Sequence, residues 1–68
     1  MKDIENINKK MHVTACLINL KTIQEYFETM NHKDINSAED KQVITEFLDA
    51  IDNELDSIKE KMIFIRQI

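Results

Sequence analysis

The sequence predicts an all-α chain: an antiparallel hairpin of two long helices, assembling into a helical bundle. Three observations lead there. The chain has no Gly and no Pro, the residues that supply the special backbone geometries of turn-rich β folds. Apolar residues recur at alternating steps of three and four in both halves, the period of a helix face. Between the halves lies one polar stretch, Asn31-His32-Lys33-Asp34-Ile35-Asn36-Ser37, with no helical patterning.

The first helix is expected from about residue 3 to residue 31. Val13, Cys16, Leu20, Ile23, Phe27 and Met30 form its packing seam, at heptad-like spacing. The segment Glu5-Asn6-Ile7-Asn8-Lys9-Lys10 contains weak helix formers. It leaves open a break that would fold Ile4 and Ile7 back as a short third helix. Length favours one continuous helix, because a helix over residues 12–31 would reach only about 30 Å, against about 45 Å for its mate.

The turn is expected over residues 31–37. Asn31 would take the left-handed position that ends a helix where Gly is missing. Asn36 or Ser37 would cap the next helix, with Glu39 or Asp40 three residues on. The second helix then runs from about residue 37 to residue 66. Ile44, Phe47, Ile51, Leu55, Ile58, Met62 and Ile65 form its stripe, with one extra step of four that reads as a stutter. Phe27 and Phe47 are expected to anchor the core near the turn. A connection this short makes the helices antiparallel neighbours.

Residues 1–68 make a single helical domain with a thin core. The lone cysteine, Cys16, excludes an intramolecular disulfide, so association is the remaining source of added stability. Charge is uneven. Residues 1–33 carry five Lys and four acids, whereas residues 34–68 carry nine acids and four bases. A chain of net charge −4 is poorly suited to nucleic acid, which needs clustered cations. Without a continuous apolar run, neither a signal peptide nor a membrane span is expected, and the expected location is cytoplasmic.

A second apolar stripe on the first helix is the most informative feature. Ile4, Ile7, Met11, Ala15 and Ile18 share a face nearly opposite the seam, and near the chain's end Ile63, Phe64 and Ile68 lie off the main stripe of the second helix. In an antiparallel hairpin both sets fall at the end distal to the turn. One hairpin cannot bury two opposite faces of one helix. Ile4, Ile7, Met11, Ile18, Ile63, Phe64 and Ile68 are therefore expected to bind a protein partner or a second copy of the chain.

Other clusters carry less. Asp49, Asp52, Asp56 and Glu60 line the outer face of the second helix. They read first as a solvated face and second as an acidic docking face for a basic partner. His12 and Cys16 are four apart but lack a second ligand pair, so no metal is expected. Lys2, Lys9, Lys10 and Lys21 come without arginines or stacking aromatics beside them, which favours solvated lysines over an RNA face. No cofactor and no catalytic residue is expected: HExxH and CxxC are missing, and a hairpin offers no deep pocket for tuning an acid or a base.

The stretch Ala50-Ile51-Asp52-Asn53-Glu54-Leu55 resembles the Hha-type nucleoid modulators. The size and hairpin plan are similar to the YscE-type needle chaperones of type III secretion and to the Rop hairpin. Architecture does not fix function, and no site residue is carried over from any of them. The function expected is a non-enzymatic interaction module, a small chaperone, inhibitor or adaptor acting as a homodimer or tight heterodimer. The alternative is a nucleic-acid-linked regulator, either a helical modulator of the Rop or Hha kind or an acidic DNA mimic.

Overall fold

The computed structural model describes the backbone of residues 2–67 and the side chains of residues 4–67. Two helices account for nearly all of it: α1 over Lys2–Asn31 and α2 over Ala38–Gln67, 30 residues each, packed against one another. At 1.5 Å per residue each helix is about 45 Å long. The weak helix formers of residues 5–10 do not interrupt α1, so the third, folded-back helix does not form. Its two or three short turns would have faced a high nucleation cost, whereas continuing α1 adds one hydrogen bond per residue.

Polar side chains build the turn in place of glycine. Asn31 does not adopt the expected left-handed conformation, and no described residue has positive φ. Instead α1 ends by tightening: the His32 N–H donates to the Thr29 carbonyl at 3.1 Å and the Lys33 N–H to the Met30 carbonyl at 3.0 Å. These three-residue bonds satisfy carbonyls that an α-helix end leaves open. Asp34 Oδ1 then accepts from the Asn36 N–H at 2.9 Å, and the Asp34 carbonyl accepts from the Ser37 N–H at 3.0 Å. Ser37 caps α2, its Oγ accepting from the Asp40 N–H at 3.4 Å. Asp40 Oδ2 reaches back to the Asp34 N–H at 2.7 Å. Asn36 takes no part in the cap.

The packing differs from the expected seam. α1 meets α2 through His12, Cys16, Asn19, Ile23, Tyr26 and Met30, all half-buried, while Val13, Leu20 and Phe27 are exposed. α1 is thus turned by about 50°, half the 100° step between residues. On α2 the seam residues are Asp40, Ile44, Phe47, Ile51, Glu54, Ile58, Lys61 and Ile65, an unbroken alternation of four and three, with Val43, Ala50 and Ser57 half-buried beside them. The stutter disappears because Glu54 and Lys61 occupy positions assigned to Leu55 and Met62. Phe27, expected in the core, is 51% exposed. Its neighbour Tyr26 packs on Phe47 instead, ring centroids 5.2 Å apart.

The result is a rod. Its extents are 55 × 16 × 10 Å and its radius of gyration is 16.0 Å, where a compact chain of this length would give about 11 Å. Ile51 alone among the described residues is buried, at 5% exposure.

Two substitutions test the turn. Ser37→Ala is expected to cost about 1 kcal/mol, the usual value of an N-cap. Asp40→Ala should cost at least as much, about 1–2 kcal/mol, since its carboxylate also holds the Asp34 N–H. Urea unfolding followed by circular dichroism measures both; a loss below about 0.3 kcal/mol for each would show that the turn does not depend on them.

Candidate functional site

The centre of the hairpin seam is polar. The Asn19 amide nitrogen donates to Glu54 Oε2, and its oxygen accepts from Lys61 Nζ at 2.8 Å. Lys61 also donates to Ser57 Oγ at 2.5 Å. One amide thus bridges a carboxylate and an ammonium group from successive heptads of the other helix. All four side chains are half-buried, and no buried side-chain nitrogen or oxygen among the described residues lacks a partner. Farther from the turn, His12 stacks on Phe64 with ring centroids 4.0 Å apart and an interplanar angle of 16°. Its Nδ1 lies 2.8 Å from the Asn8 carbonyl.

Large apolar side chains lie outside this seam. Val13, Leu20 and Phe27 each follow a seam residue of α1 by one position; Leu48, Leu55 and Met62 do the same on α2. In an antiparallel pair, positions so related fall on the same side of the seam. These six residues are between 41% and 51% exposed. They form a stripe at seven-residue spacing on each helix, and they share one side, the front, with Leu17 beside them. The apolar seam residues Cys16, Ile23, Met30, Ile44, Ile51, Ile58 and Ile65 lean to this same side and floor it. The front stripe was missed as an outward feature. Its signal lay in the polar Asn19, Glu54 and Lys61, which occupy seam positions at heptad spacing and displace the apolar stripe sideways.

Of the residues assigned to partner binding, Ile4, Ile7, Met11, Ile18, Ile63 and Phe64 are exposed. Ile7, Met11 and Ile18 line a shallow groove with Lys10, Thr14 and Ala15, on the back of the hairpin. Ile4 is exposed on the same helix, at 57%. Ile63 lies in a separate groove with Lys59, Met62 and Arg66. Phe64 is tied to His12, and Ile68 falls outside the described residues. Asp49, Asp52, Asp56 and Glu60 are all exposed on the outer face of α2. Among the described residues no three His, Cys, Asp or Glu side chains gather as a metal site. Cys16 is a free thiol, half-buried in the seam. No helix of the described residues is long and apolar enough to cross a membrane.

Compared with known protein families, curated proteins and solved structures, the chain matches none. Its function is therefore read from this geometry.

Asn19→Ala is expected to destabilise the hairpin by about 1–3 kcal/mol, because Glu54 and Lys61 lose the amide between them. Replacing Asn19, Glu54 and Lys61 together by Leu should be neutral or stabilising by up to about 4 kcal/mol. Denaturant midpoints of the two variants decide it; equal losses for both would mean that the network does not act as a unit. Asp49→Asn and Asp56→Asn should each shift stability by less than about 0.5 kcal/mol, as exposed outer-face changes do.

Proposed function

We propose that this chain is a non-enzymatic protein-interaction module, a small helical chaperone, inhibitor or adaptor that works by covering the apolar face of another chain. One observation supports this reading above the others. The hairpin holds Asn, Glu and Lys inside its own seam, while Leu, Ile, Met and Phe face outward on two sides. Each large apolar side chain left in water forfeits about 1.5–3 kcal/mol that burial would return. A monomer that existed only to be folded would gain by the opposite arrangement.

The back groove of Ile7, Met11 and Ile18 suits one face of a helix from a protein partner, with Ile4 extending it. Lys10 and Thr14 are the polar side chains of its shallow lining, fewer than a site that orients a small substrate brings together. Ile18 is 63% exposed, so changing it leaves the seam intact.

The test is chemical cross-linking in the producing cell, followed by sizing of the tagged chain. Wild type is expected in species larger than its own 8.1 kDa. Ile18→Lys should reduce a back-groove complex at least tenfold, by placing an unpaired charge in an apolar contact. Lys21→Glu, which changes no apolar side chain, should leave the complex unchanged. Apolar pairing should persist at high salt, whereas a complex that disperses steeply as salt rises would favour phosphate binding and the nucleic-acid reading. A chain found free and monomeric both in the cell and after purification would overturn the proposal.

A further inference from the structure

We infer that the front stripe is an isologous interface for a second copy of this chain, with the two hairpins packed as a four-helix bundle and their turns at opposite ends. This deepens the interaction reading and rests on it, but it concerns a different side of the hairpin from the back groove.

Surface area argues for an occupant of this size. The chain exposes 5531 Å², whereas a compact monomer of its mass would expose about 4,500 Å². The excess, about 1,000 Å², is close to the roughly 800 Å² that each partner buries in a standard interface. A face of 55 by 16 Å has a footprint of about 900 Å², enough for such a contact.

The pattern of side chains argues that the occupant is a copy. Val13 and Phe27 stand seven residues on either side of Leu20; Leu48 and Met62 stand seven on either side of Leu55. The hydrogen bond between Asn19 and Glu54 fixes Leu20 and Leu55 within one helical turn of each other along the rod. A two-fold axis crossing the hairpin at Leu20 and Leu55 therefore maps the whole stripe onto itself. It sets Leu20 on Leu20 and Leu55 on Leu55. It sets Val13, the smallest, against Phe27 of the second copy, the largest, and Leu48 against Met62. Self-complementarity of this kind is what a closed two-fold interface requires.

The rim charges choose between the two ways of facing the hairpins. With turns at opposite ends, α2 runs antiparallel to α2 of the second copy, and Asp52 meets its Lys59 twice, once on each side of the axis. With turns at the same end, α1 would lie beside α2 of the second copy, placing Lys10 level with its Arg66, as His12 stands level with Phe64. Opposite charges on the rim favour the first arrangement, and like charges disfavour the second.

Sedimentation equilibrium of the purified full chain is the first measurement. Wild type is expected to be a dimer at tens of micromolar. Leu20→Lys and Leu55→Lys should each weaken dimerisation at least 100-fold while circular dichroism stays helical, because both side chains are already exposed in the single hairpin. Ile7→Lys, on the back, should leave dimerisation unchanged. Asp52→Lys should weaken the dimer several-fold, and adding Lys59→Asp should restore it. Spin labels on Ile35→Cys, in a Cys16→Ser background, read the orientation: turns at opposite ends put the labels roughly the 55 Å rod length apart.

A wild-type monomer, a dimer unaffected by Leu20→Lys, or a label separation near 20 Å would each overturn the inference. A purified monomer that nevertheless enters complexes in the cell would overturn this interface alone and leave the interaction reading standing. A chain free in both settings would remove both.

Discussion

The bridge from Asn19 to Glu54 and Lys61 sets the geometry from which the rest follows. An amide has one donating and one accepting end, and here the ends are taken by a carboxylate and an ammonium group one heptad apart on α2. Satisfying all three draws these positions into the contact. The helices must then turn their strongest apolar stripe partly away from each other. Polar groups in an otherwise apolar seam contribute little net stability, but they do select one alignment among several that isoleucine alone would tolerate. Sliding α2 by a heptad would leave Asn19 facing the wrong partners.

That rotation explains which features were legible in the sequence. Helix content, the antiparallel plan and both helix boundaries followed from periodicity and from the lack of Gly and Pro, because those signals are local. Ser37 with Asp40 was one of the two cap pairs that the local sequence offered, the other being Asn36 with Glu39. The facing of the helices was not. Val13, Leu20 and Phe27 are the more hydrophobic choice at every level, and hydrophobicity alone assigns them to the seam. The preference for His12, Asn19 and Tyr26 depends on complementary groups far along the chain, on Phe64, on Glu54 and Lys61, and on Phe47, the nearest of these pairs in sequence being Tyr26 with Phe47. Pairing across that distance does not show in a periodicity.

For the residues assigned to partner binding, exposure was legible and layout only in part. Ile4, Ile7, Met11 and Ile18 share a face in any α-helix, and α1 is continuous, so their grouping was secure. Ile63 and Phe64 were placed with them because an antiparallel hairpin brings their heights together. Height is only one of two coordinates. The azimuth separates Ile63, which lies with Lys59, Met62 and Arg66, whereas Phe64 precedes the seam residue Ile65 as Ala15 precedes Cys16 and stacks on His12 along the back side. The hairpin therefore has two apolar sides with different characters: a long regular front and a short back confined to the distal half.

The turn has a consequence for how the hairpin forms. Its bonds are made within a dozen residues, by Asp34, Ser37, Asp40 and the last carbonyls of α1, and they require no tertiary contact. From there each cross-helix contact encloses a longer stretch of chain, from Tyr26 with Phe47, through Asn19 with Glu54, to His12 with Phe64. The entropy of closing a loop rises only slowly with its length, and each contact is brought close by the one before it. Folding is then a zippering outward from a pre-closed end, fast for a chain dominated by local order. Opening runs the other way. The distal end, where the back groove lies, separates first and at the least free energy, while the turn stays shut. The groove thus sits on the part of the rod that can part its helices and reclose them without unfolding the molecule.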